Sequence, residues 1–311
     1  MAFALAVRNR ALAACIIIFF AGWCFADENP SATSQPSESS AAPAAEPETF
    51  RWYTDYREAV NAAQASHKML FVWFYNAKIT HPEADFANKI VTDANVHARL
   101  QKTIAVCIPT DAVLKTAAGD ISILRHAAFS EMHGRAGVAV VDYTKGSPYY
   151  GRVVSAYPYR GRPMGAGELA TLLDLPVGSL TQRTLVMAVR MHPEAPASTR
   201  GQADPYIFSE AEAHSNHMAS IRVQGHHNFD TRFQRMTARM PGGTAAKEVC
   251  AESWPGKGMV DAAEDLVDSW RQSSGHWSAV RNYHVAYGYD MKLGSNGIWY
   301  GTGIFAAAPD R

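Results

Sequence analysis

Cysteine is scarce: the 311 residues hold four, Cys15, Cys24, Cys107 and Cys250, and no pair is spaced Cys-x-x-Cys. Too few remain for a disulfide framework, and paired-thiol exchange is excluded. Net charge is lacking as well, with 29 basic and 29 acidic residues. No Lys/Arg run offsets that balance, so charge gives no argument for nucleic acid or an anionic membrane as partner, and no nucleic acid is expected. Also missing are a nucleophile elbow and a His-Glu-x-x-His helix, the marks of two common hydrolase designs.

What is present begins with an apolar N-terminal segment. Arg8 and Arg10 precede a run from Ala11 to Phe25, and Cys24-Phe25-Ala26 offers small residues at the −3 and −1 positions of a cleavage site. The run is about 15 residues, short of the ~20 a spanning helix needs, so residues 1–26 read as an export signal. The expected location is therefore periplasmic or extracellular, with membrane attachment only if the segment stays uncleaved. Residues 27–49 are Ser, Ala, Pro and Glu without a large apolar side chain, the composition of a disordered linker. Of the cysteines that remain, Cys107 and Cys250 each sit in apolar context and read as small buried hydrophobes.

From Phe50 the pattern becomes α/β. Asp55 and Glu58 open a helix to Ala65 in capping-box spacing. Met69 to Tyr75 is a continuous apolar run, as in a strand buried on both faces. Residues 82–100 read as a helix and Thr103 to Ile108 as a second buried strand. Strands at Gly137 to Asp142 and Tyr150 to Ser155 flank a turn at Thr144-Lys145-Gly146, and Gly167 to Leu173 closes with a helix. The spacing predicts an α/β sandwich over 50–176.

That order resembles the thioredoxin-like fold. In its catalytic members the strand matching Leu70–Tyr75 runs into Cys-x-x-Cys. Here it runs into Asn76-Ala77-Lys78-Ile79-Thr80-His81-Pro82, and Arg135-Ala136-Gly137-Val138 stands where the cis-proline belongs. The resemblance implies a redox-inactive structural or docking module.

Past Pro176-Val177-Gly178 a second domain is expected over 180–311. Helices are predicted at Leu180–Met191, about Pro205 to Gln224, and Met259–Trp270, the last with Val260, Ala263, Val267 and Trp270 on one stripe. His214 and His217 share a helix face and read as a surface pair. Gly275 is expected past a helix end, in a left-handed turn. Gly294-Ser295-Asn296-Gly297 predicts a terminal hairpin. Trp254, Trp277, Trp299 and Tyr300 read as core and sheet packing.

The ordered set Gly225-His226-His227 followed by Arg232, Ala251-Glu252-Ser253-Trp254, Trp270-x5-His276 and the closing aromatic strand resembles the CAP superfamily (cysteine-rich secretory proteins, antigen five, pathogenesis-related proteins; SCP-like) in its disulfide-free bacterial form. The resemblance implies an α+β domain, an α-β-α sandwich, with a cleft built from two histidines and two acids. On that pattern the first histidine is His226 or His227, the first acid Glu252 and the second histidine His276. Ser273 stands where the second acid belongs. His226, His276 and Glu252 would be the metal ligands, with Zn²⁺ as cofactor, and the cleft's partner a small molecule, a lipid or a cell-envelope component. The alternative is a hydrolase working through His276 and Glu252, with or without zinc.

Overall fold

The computed structural model describes residues 50–78, 86, 91–117 and 119–308. The expected signal, the linker and residues 82–85 and 87–90 of the helix predicted over 82–100 lie outside them. The chain from Thr49 onward is one compact unit of mixed α/β architecture.

The first half is built on a five-stranded sheet of order β1-β3-β2-β6-β7, from Trp52–Tyr53, Ile104–Pro109, Leu70–Tyr75, Gly137–Asp142 and Arg152–Pro158. β1, β3 and β2 run parallel, while β6 and β7 are antiparallel to their neighbours. The apolar run at Leu70–Tyr75 becomes the central strand, with Trp73 opposite Cys107 on one side and Val138 on the other. Its side chains alternate between two cores, as a period of two requires. Leu70, Val72 and Phe74 face α1 (Tyr56–Ser66) and the 3₁₀ segment Ala127–Met132; Phe71 and Trp73 face the opposite way. Asp55 caps α1 by accepting from Glu58 N at 2.9 Å. The chain also forms α2 (Ala94–Leu100), α3 (Ala166–Leu173) and a small hairpin of β4 (Val113–Thr116) with β5 (Gly119–Ser122) that periodicity did not signal.

The second half opens with α4 (Leu180–Met191), held by a capping box in which Ser179 Oγ accepts from Gln182 N and Gln182 Oε1 from Ser179 N. Then follow β8 (Gln202–Ala203), α5 (Pro205–Ile221), α6 (Phe229–Thr237), β9 (Ala245–Glu252), α7 (Met259–Gln272), α8 (Ser274–Arg281), β10 (Ala286–Leu293) and β11 (Trp299–Ala307). Four strands pair in the order β8-β10-β11-β9, and the hairpin at Gly294–Gly297 forms with Gly297 at φ 75°. Helices cover both faces of this sheet. Ile207 and Ala211 of α5 and Met236 of α6 meet Ile304 and Ala306, while Leu266 and Trp270 of α7 meet Tyr289 and Phe305. β11 is buried along its whole length. Trp277, Trp299 and Tyr300 are buried as expected, but Trp254 is 73% exposed, because it lies past the end of β9 where no helix covers it.

The turn at residues 174–179 separates the halves along the chain, but apolar packing does not stop there. Phe71 and Trp73 share one buried cluster with Leu185 and Val189 of α4, Trp270 of α7 and Phe305 of β11. Arg183 of α4 is 1% exposed and, among the described residues, forms no ion pair. Its guanidinium donates instead to Leu172 O (3.2 Å), Leu175 O (2.8 Å), Pro176 O (2.8 Å) and Ser155 Oγ (2.9 Å). It thus caps the C-terminal end of α3, where unpaired carbonyls and the negative end of the helix dipole gather.

One expectation about local structure is corrected. Gly275 is not a left-handed helix stop; it lies inside α8. Ser273, in extended backbone (φ −105°, ψ 114°), ends α7 through its N–H to Trp270 O and starts α8 through its carbonyl to Trp277 N at 2.7 Å. A single residue therefore turns the chain, and the glycine falls in the first turn of the new helix.

Asp290 of β10 sits under α4 with no solvent exposure, accepting from Thr181 Oγ1 at 2.6 Å while Lys292 Nζ stands 3.4 Å from its other oxygen. Burial pushes its carboxyl up to about 7 against the pull of Lys292 and Thr181. The folded chain therefore holds a proton there that the unfolded chain has lost above its ordinary carboxylate pKa. Its contribution to stability is full below about pH 4 and drains away as pH rises through 7. The difference in urea midpoint between Asp290→Asn and wild type is expected to shift in favour of the variant from pH 4 to pH 7. A difference independent of pH would refute the assignment.

Candidate functional site

The site lies on the face of the second sheet covered by α5 and α6. At its centre is Glu248, on β9 opposite Ile304, with a side chain that has no solvent exposure. Its Oε1 is 3.0 Å from His226 Nδ1, and its Oε2 accepts from Arg232 Nη2 of α6 at 2.6 Å. Burial pushes the Glu248 carboxyl up, but the hydrogen bonds from His226 and Arg232 outweigh it, and the net shift is downward. Glu248 is thus held as a carboxylate.

The short turn between α5 and α6 positions His226. Arg222 ends α5 in left-handed backbone (φ 60°), and Asn228 precedes α6 in the same region (φ 53°), so the chain reverses over a few residues. With its Nδ1 fixed on Glu248, the half-exposed His226 ring directs Nε2 outward. There it meets His276 Nε2, carried by the first turn of α8, at 3.3 Å. The pKa of His276 is lowered by burial and then by the neighbouring His226, which favours the neutral, ligating form.

Beneath this pair is a second group of donors. His214 of α5, Glu248 and Cys250 place one ligating atom each within 4.8 Å of one another, and this buried group could hold a metal ion. Its atoms already have occupations. His214 Nε2 is 2.9 Å from Gly225 O, so that nitrogen carries a proton and donates it. Cys250 Sγ lies 3.5 Å from Glu248 Oε1 and 3.7 Å from His226 Nδ1. Burial, and then the Glu248 charge, push the thiol well up and keep it protonated. Burial likewise lowers the pKa of His214.

His226 and His276, chosen from sequence, are brought together. Glu252 is not with them: it is exposed at the end of β9 opposite Tyr300, four residues or about 13 Å of strand beyond Glu248. Glu248 holds the position expected of Glu252, since the centre of the strand lies under His226 and its end does not. His227 turns away, with Nε2 3.2 Å from Val223 O and its ring edge-on to His217 at 5.4 Å. Ser273 acts through its backbone between α7 and α8, and its side chain caps nothing. His214 is not half of a surface pair, since it is 2% exposed under the α5–α6 turn, while His217 is exposed.

Sequence reasoning passed over Glu248 and Arg232 as site residues. Glu248 and Glu252 share a strand face by parity, so alternation alone could not choose between them. Arg232 three residues after Phe229, on an amphipathic turn following Asn228, was the available signal for α6.

No protein-family model matches this chain, and no curated protein matches it. Among the described residues, no helix is long and apolar enough to cross a membrane.

Proposed function

We propose that this protein is an exported binding module whose cleft holds a divalent cation, with Zn²⁺ the best fit, between His226 and His276. The observation that carries the reading is the 3.3 Å separation of the two Nε2 atoms. Two nitrogens each about 2.0–2.1 Å from one ion at the tetrahedral angle lie about 3.3 Å apart. Glu248 supports it from behind: a carboxylate on the far nitrogen of a ligating histidine fixes its tautomer and raises its basicity. The cation would supply Lewis acidity and coordination positions left to solvent or to an oxygen-bearing envelope ligand.

In this reading residues 180–311 are a CAP-like domain, supported by the convergence of His226, His276 and an acid on one cleft. Residues 50–176 are a thioredoxin-like module without redox chemistry, supported by the strand order β1-β3-β2-β6-β7 and by the absence of cysteine from residues 76–82, directly after β2. Periplasmic or extracellular location rests on the N-terminal apolar run.

Calorimetric titration with zinc chloride tests the assignment. Wild type is expected to bind one ion, His276→Ala to lose at least tenfold in affinity, and Cys250→Ser to bind as wild type does. Loss on Cys250→Ser with no effect of His276→Ala would move the ion to the buried group. The hydrolase alternative draws on the Glu248–His226 pair, since an imidazole oriented by a carboxylate is a general base in form. It predicts ester or peptide turnover that His226→Ala abolishes.

A further inference from the structure

A small cleft of about 250 Å³ lies where the last turn of α4 meets the segment 195–200, lined by Arg190, Ala195, Pro196, Thr199 and Arg200. Two of these residues are cations and none is an acid. Neighbouring acids are engaged elsewhere: Asp174 pairs with Arg99 at 2.6 Å, and Glu194 with Arg271. Arg190 is half-buried, and its fork is held by donating to Asp174 O at 3.0 Å and to Tyr287 Oη at 3.2 Å. A guanidinium has five N–H donors, so most of those of Arg190 remain free. Arg200 is exposed, and among the described residues its guanidinium has no hydrogen bond or ion pair. Thr199 is 6% exposed, and neither its hydroxyl nor its N–H is bonded among the described residues. The segment that carries these groups is fixed. Ala197 N and Ser198 N donate to Arg281 O (2.9 Å) and Val280 O (3.2 Å) at the end of α8, and Gln202 N donates to Val285 O at 2.9 Å. Ser198 Oγ is 2.8 Å from Tyr289 Oη, and Gly201 packs on His284 O where a Cβ has no room. A held cation, a second cation without a counter-ion and a buried hydroxyl without an acceptor thus share one rigid rim. An incoming anion satisfies all three without reordering the backbone.

We infer that this cleft binds a phosphate group, as the free ion or as the head of a small phosphomonoester, between Arg190, Thr199 and Arg200. A phosphate carries a charge of about −1.5 to −2 at pH 7 and three or more acceptor oxygens, which matches two guanidinium forks and a hydroxyl. A carboxylate brings one charge and two oxygens, too few for all three donors. The cleft falls below the ~300–1,000 Å³ of drug-sized sites, so any carbon skeleton on the phosphate is short. None of the lining residues belongs to the His226–His276 site, so either assignment stands or falls alone.

Calorimetry of the full chain with inorganic phosphate and with glycerol 3-phosphate tests this, at low ionic strength because salt screens exposed charges. Each is expected to bind at one site, and acetate at least tenfold more weakly. Whichever phosphate binds more tightly identifies the source, free ion or monoester. Arg200→Gln, at an exposed side chain without a partner, should weaken both about tenfold or more. Thr199→Val should weaken them about fivefold, the worth of one hydrogen bond, with a urea midpoint like that of wild type. Arg125→Gln removes the same charge from an exposed position in the first half and should leave phosphate binding unchanged. The zinc titration should be the same for Arg200→Gln and wild type. The inference is overturned if neither phosphate binds, if acetate binds as well, if Arg200→Gln or Thr199→Val binds like wild type, or if Arg125→Gln loses as much as Arg200→Gln.

Discussion

Replacing Glu248 by alanine is expected to cost about 3–5 kcal/mol of folding stability, read from urea denaturation followed by tryptophan fluorescence. The reason is what the substitution leaves behind. Arg232 is mostly buried, its Nη1 already lacks a partner, and its Nη2 would lose the carboxylate at 2.6 Å. An uncompensated buried cation is among the largest single-site penalties known. Glu248→Gln keeps the shape and a hydrogen bond to one neighbour, so it should cost less, yet it should lower zinc affinity about 10–100-fold by releasing the orientation of His226. The sign with pH follows from the depressed pKa of Glu248. Its stabilisation is present above the ordinary carboxylate range and is lost as pH falls through the lower folded value. Wild type should therefore lose its advantage over Glu248→Gln in acid. A cost below about 1 kcal/mol for Glu248→Ala would mean that Arg232 finds water or another acceptor, and the buried network would not be the foundation of the site.

The second large effect is expected at Arg183. Truncation to alanine removes a fully buried side chain and strips donors from Leu172 O, Leu175 O, Pro176 O and Ser155 Oγ together. The cavity term and the orphaned carbonyls add, giving about 4 kcal/mol or more. Lysine should rescue little, because one ammonium cannot reach acceptors that the planar fork spans. Burial pulls the guanidinium down to about 10, so its charge, and with it the cap, persists through neutral pH. A single cooperative loss of both halves on heating Arg183→Ala is the expected form of the result. Selective melting of the second sheet would contradict the role of Arg183 as a joint.

The elements legible in the sequence were those with a strong local code. Leu70–Tyr75 has the unbroken apolarity of a strand covered on both sides, Asp55-x-x-Glu58 marks the start of α1, and Asn296-Gly297 marks the hairpin. Helix α6 was less legible because the charges Asp230, Arg232 and Arg235 face acids elsewhere or solvent, leaving Met236 as its one buried side chain. The break at Ser273 was misplaced because glycine is a common stop and serine a common start, and here the serine serves both helices. In the site, histidines with little local structural purpose stood out. The acid did not, since only the pairing of β9 with β11 distinguishes the middle of the strand from its end.

The apolar cluster that runs from Phe71 to Phe305 also bears on how the molecule is made. Synthesis delivers the first sheet, with Phe86, Leu100 and Leu172 already against one of its faces, before the α4 residues that complete that cover. Until α4 follows, Phe71, Trp73 and Val140 have no Leu185 or Val189 to meet. At about 5–20 residues per second that gap lasts on the order of seconds, during which part of an apolar face is exposed to other chains. An assembly line that keeps the chain extended until it is complete would suit this architecture better than one that folds it piece by piece.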